Sequence, residues 1–78
     1  MWIATVGSSG QVVATNSDHI LSFDTEEVSS LWHIVATLDD STTRTLNGEW
    51  STNGAAAQAA RTVASAIGFF DPNLLSDA

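Results

Sequence analysis

The chain has 78 residues, with nine Asp or Glu against two arginines and no lysine, a formal net charge of −7 at pH 7. So few cations leave little to neutralise phosphates, which excludes direct nucleic-acid or anionic-membrane binding as an expectation and favours a protein partner with a basic surface. No cysteine is present, which excludes disulfides and thiolate zinc sites, and the length suffices for one modest core.

Trp2–Val6 is rich in strand formers and stops at Gly7-Ser8-Ser9-Gly10, a turn signal. It has no basic leader, so it does not read as a signal peptide, and no run approaches a membrane span. The expected compartment is the cytoplasm, or the host cytoplasm for a phage-encoded chain. Gln11–Thr15 returns as the second arm of a hairpin, Asn16-Ser17-Asp18 breaks the run, and His19–Phe23 makes a third short strand. Asp24–Ser30 is polar enough to predict a loop, with Asp24 able to cap a single helical turn.

Leu31–Leu38 alternates, placing Trp32, Ile34, Ala36 and Leu38 on one face. Asp39–Thr42 reads as a turn and Thr43–Trp50 as the partner strand, with Leu46 and Trp50 on its inner side and Gly48 marking a bulge. The period then changes. Ser51 or Thr52 can cap a helix from about Gly54 to Ile67, with Gly68 at the stop position. Ala56, Ala60, Val63 and Ile67 form a narrow apolar stripe, small enough to let the helix lie close to the sheet. In Phe69–Leu75, Asp71 can cap and Pro72 start one last turn. The order predicts an α+β fold: a small antiparallel sheet of four to five strands packed by one C-terminal helix, with residues 1–68 as one domain and 69–78 as an apolar tail.

The aromatic-ended hairpin "LWHIVATLDDSTTRTLNGEW" runs into "STNGAAAQAARTVASAIG", after a short N-terminal hairpin and "SDHILSF". This layout resembles a class of very short uncharacterised proteins of Gram-positive bacteria and their phages. The resemblance implies a phage or mobile-element origin and carries no activity or functional residue. Asn53, Gly54 and Ala55 depart from the glutamate-rich helix start of that class.

Chemistry is sparse. Glu26-Glu27 and Asp39-Asp40 fall in predicted loops rather than a pocket, and His19 and His33 lack any metal-ligand spacing. No serine sits in a nucleophile elbow, and Gly7–Gly10 lacks the lysine and helix of a phosphate loop. The three tryptophans are expected in the core. No catalytic residue, cofactor or metal is therefore expected.

What remains is a surface. The expectation is a small acidic, non-enzymatic binding protein acting through a protein–protein contact. Its sharpest form is a phage-encoded, anti-CRISPR-like inhibitor that fills the nucleic-acid groove of a host defence complex. Asp24, Glu26, Glu27, Asp39, Asp40 and Glu49 would mimic phosphates, and Phe69, Phe70, Leu74 and Leu75 would supply apolar contact. The alternative is a small-ligand-binding or sequestering homo-oligomer, paired through the Ala-rich helix or the tail, with Trp50, Arg44 and Arg61 walling a pocket at the seam.

Overall fold

The structure, a computed structural model, describes residues 1–66 and 69–74, Phe69 by its backbone alone. Strands β1 (Trp2–Val6), β2 (Val12–Asn16), β3 (Ile20–Val28), β4 (Leu31–Leu38) and β5 (Thr43–Leu46) lie in the spatial order β2-β1-β5-β4-β3. Every neighbouring pair on that path is antiparallel. Helix α1 (Asn53–Ser65) follows, and β6 (Phe69–Phe70) then adds two residues parallel to the start of β1. The α+β class predicted from the sequence is the fold the chain adopts.

The sheet cannot be flat. Strands β2 and β3 stand at its opposite ends, which a flat sheet would hold ~19 Å apart at four strand spacings. Only Ser17–His19, one 3₁₀ turn, connects them, and four Cα links reach ~15 Å at most. The sheet therefore curls and brings its two edges toward each other. Ser17 N–H donates to the Met1 carbonyl (2.9 Å) and Asp39 N–H to that of His19 (2.8 Å), tying the turn to both halves.

The core fills the inside of this curl. Ile3, Ile34, Ala36, Leu46 and Trp50 from the sheet meet Ala56, Ala59 and Val63 from α1, all buried. The helix starts where Thr52 Oγ1 accepts from Ala55 N–H (3.1 Å), the cap the sequence predicts. Ala59 takes the buried place expected of Ala60, which packs at the rim, and Ile67 lies outside the described residues. The Trp32, Ile34, Ala36 and Leu38 face turns inward as its alternation requires. Between the pairs Val35/Thr45 and Trp32/Trp50, three steps along β4 answer five along the other strand, so the chain bulges there. Gly48 sits in that bulge at φ +149°, and a Cβ on it would lie 2.7 Å from the Trp50 ring. Only glycine satisfies both limits.

Three expectations are corrected. Asp24–Ser30 is not a loop, because β3 runs through Val28 and the chain reverses only at Ser29 and Ser30, at φ 54° and 68°. Its polarity reflects an edge strand open to solvent, not irregular backbone. Trp2, expected in the core, is 49% exposed, because its side of β1 faces away from Ile3 and Thr5, which point into the curl. Finally, the aromatic start of the tail belongs to the sheet. Phe69 and Phe70 pair with Trp2 and Ile3, Phe70 packs against the core, and Pro72 is buried.

Candidate functional site: an acidic edge beside a helical groove

Strand β3 pairs on one side only, with β4, and carries Asp24, Glu26 and Glu27, all exposed. A bulge at Leu21 shifts the register, after which Phe23 and Thr25 turn toward α1 while Asp24 and Glu26 turn outward. Glu26 lies opposite His33, and Glu49 lines the same outer hollow as His33, Thr45 and Asn47. Asp39 and Asp40 sit in the β4–β5 turn beside the start of β3. From that turn to Glu27 the strip spans ~23 Å at the rise of an extended strand.

The six predicted acidic residues are thus exposed, but they do not share one concave site. Five follow the β3 side of the sheet, and Glu49 stands across β4 from them. Little charge is compensated. The one ion pair among the described residues joins His19 Nδ1 to Asp39 Oδ2 (3.1 Å), with both side chains more than half exposed. Asp40 Oδ1 accepts from the Thr42 hydroxyl (2.6 Å) and backbone N–H (3.0 Å). These bonds, the hydroxyl's first, hold its carboxyl below the ordinary value, with a further contribution from Arg44.

Beside β3 runs a groove of about 410 Å³, whose far wall is the α1 face of Ala57, Ala60, Arg61 and Ala64. Its near wall is Phe23, Asp24 and Thr25. The Thr25 hydroxyl donates to Asn53 Oδ1 (2.6 Å), which fastens the strand to the first turn of the helix. Sequence reasoning named the Ala-rich helix as a contact surface but did not set β3 against it to form a groove. Its trace was the recurrence of alanine at 57, 60 and 64, visible only if both sides of the helix are treated as surfaces with neighbours.

The remaining predicted residues separate. Phe70 is packed rather than presented, because it is drawn into the sheet beside Ile3. Leu74 is 84% exposed, the side chain of Phe69 is not described, and Leu75 lies outside the described residues. The expected wall of a ligand pocket does not assemble within one chain: Trp50 is buried, Arg61 lines the α1–β3 groove, and Arg44 lines a separate hollow with Thr5, Val13 and Thr43. Among the described residues no group of three or more His, Cys, Asp or Glu is placed to hold a metal, and no helix is long and apolar enough to cross a membrane. Comparison with family models, curated proteins and solved structures finds no match for this chain.

Proposed function

We propose that the chain is a non-catalytic protein-binding module whose working surface is the acidic strip along β3 and the β4–β5 turn, and whose partner presents a basic surface. The observation that carries this reading is the set of three carboxylates on one edge strand, none in an ion pair among the described residues. Uncompensated charge of one sign draws an oppositely charged partner and speeds its encounter. Inhibition of a host defence complex by filling its nucleic-acid groove is the special case in which that partner's basic surface is itself a phosphate-binding groove.

The test is anisotropy of a labelled oligolysine at low and high salt. The variant Asp24→Asn/Glu26→Gln/Glu27→Gln should bind about tenfold more weakly than the parent, with a flatter salt dependence. Equal binding by the two proteins would overturn the reading.

A second reading, self-association around a small ligand, rests on a different observation. The other edge, β2, is uncharged and exposes Val12 and Val13, which stand opposite Val6 and Thr5 of β1. Sedimentation velocity separates the two, since a monomer at high concentration leaves no seam for the ligand.

A further inference from the structure

The open edge of β3 has a defined hydrogen-bonding polarity. Trp32 and Trp50 exchange both backbone bonds (2.7 and 2.9 Å), so even-numbered residues of β4 direct their N–H and C=O groups away from β3. Ile34 is one of these, and it stands opposite Thr25. Thr25, and with it Phe23 and Glu27, must then point its backbone groups at the free side. One donor there is already occupied by a local substitute: Thr25 N–H is held by Asp24 Oδ1 at 2.8 Å. Among the described residues no strand bonds this edge.

Phe23 and Thr25 turn inward to the groove along α1, with Glu27 on the same face opposite Trp32, while Asp24 and Glu26 alternate to the other face, Asp24 also meeting the rim of the groove. A strand laid against β3 would meet these two environments at alternate residues. Residues opposite Asp24 and Glu26 would face carboxylates, and residues opposite Phe23 and Thr25 would face Ala57, Ala60 and Ala64. The small helix residues leave room for side chains of moderate size, whereas Arg61 at the same wall disfavours a cation on that side.

We propose that β3 receives an extended segment of a partner protein as an additional outer strand, with Lys or Arg at alternate positions facing Asp24 and Glu26 and apolar residues between them entering the α1 groove. This rests on the acidic-strip reading and adds to it a backbone geometry and a sequence pattern. Charge decides the occupant. A second copy paired through β3 would set carboxylates against carboxylates, which is destabilising, so the residues that admit a basic strand also reject the chain's own. Main-chain bonds supply the affinity and the alternating environments supply the selection.

The experiment uses the full chain and an acetylated peptide alternating lysine and valine. Three controls accompany it: a peptide of the same composition with the lysines in one block, and two alternating peptides N-methylated on either set of alternate amides. The expected result is slowed hydrogen exchange at the Phe23 and Glu27 amides with the alternating peptide. One methylated peptide should bind about tenfold more weakly and the other unchanged, because only one set of amides faces β3. Ala64→Phe, on the exposed helix face, should weaken the alternating peptide while leaving the block peptide unaffected. If alternating and block peptides bind alike, and both are indifferent to methylation, the strand-addition proposal is overturned while the acidic-strip reading stands. Protection confined to β2 would likewise overturn it. Failure of every basic peptide to bind would remove both.

Discussion

The two ends of the curled sheet handle the same problem differently. Any edge strand offers unpaired backbone groups to other chains, and proteins blunt that hazard by shortening the strand or charging it. Strand β2 is five residues long and bears no charge, whereas β3 is nine residues long and bears three carboxylates. On β2, Val12 and Val13 are 55% and 42% exposed, an apolar surface tolerable on so short an edge. Charge is thus concentrated where length alone would leave the chain prone to pairing, and under the proposed strand addition the edge made safe against itself would also be the selective one.

Both edges hang from one core, and removing its centre erases the contrast. Trp50 is 1% exposed, and Trp50→Ala should cost about 3–5 kcal/mol. Chemical denaturation should find that variant's midpoint sharply lowered, since a domain of this size holds only roughly 4–12 kcal/mol in total. A narrower change breaks the β2 side alone. The buried Thr5 hydroxyl donates to the Val13 carbonyl (2.7 Å) and meets the Thr15 hydroxyl (3.0 Å), pinning β2 to β1. Thr5→Val should cost about 1–2 kcal/mol by leaving those groups unpaired. Amide exchange should quicken in β2 and leave β3 as it was; uniform quickening would mean that the two edges do not open separately.

The third change sharpens the comparison from the β3 side. Ser29 and Ser30 both hold positive φ in the two-residue turn from β3 to β4, where Asn-Gly is the favoured pair. Ser30→Gly should raise stability by about 0.5–1 kcal/mol, read as a higher denaturation midpoint with unchanged slope. Loss of stability would show that the turn is held by contacts of the Ser30 side chain rather than tolerated by it.

The positive-φ serines also explain where the sequence was hard to read. Strand-forming residues flanking the Gly7–Gly10 turn located β1 and β2, alternation located β4, the Thr52 cap located α1, and Gly48 announced its bulge. Each of these signals is local, and each was legible. The second half of β3 was not, because serine, glutamate and aspartate look alike in a loop and on a solvated edge strand, and no glycine marked the turn. The six carboxylates were legible as a set, but their arrangement depended on register and curl. The groove was illegible for the same reason: it exists only because a three-residue connector forces the sheet around and sets β3 alongside the helix.

Alanine along α1 has a separate consequence for how this molecule can change over generations. Ala56 and Ala59 are sealed against the sheet, so enlarging either would strain the interior. Ala57 and Ala64 point elsewhere, and either can be exchanged for a bulkier neighbour without disturbing that packing. A lineage could therefore reshape the trough, one substitution at a time, while the scaffold beneath stays untouched.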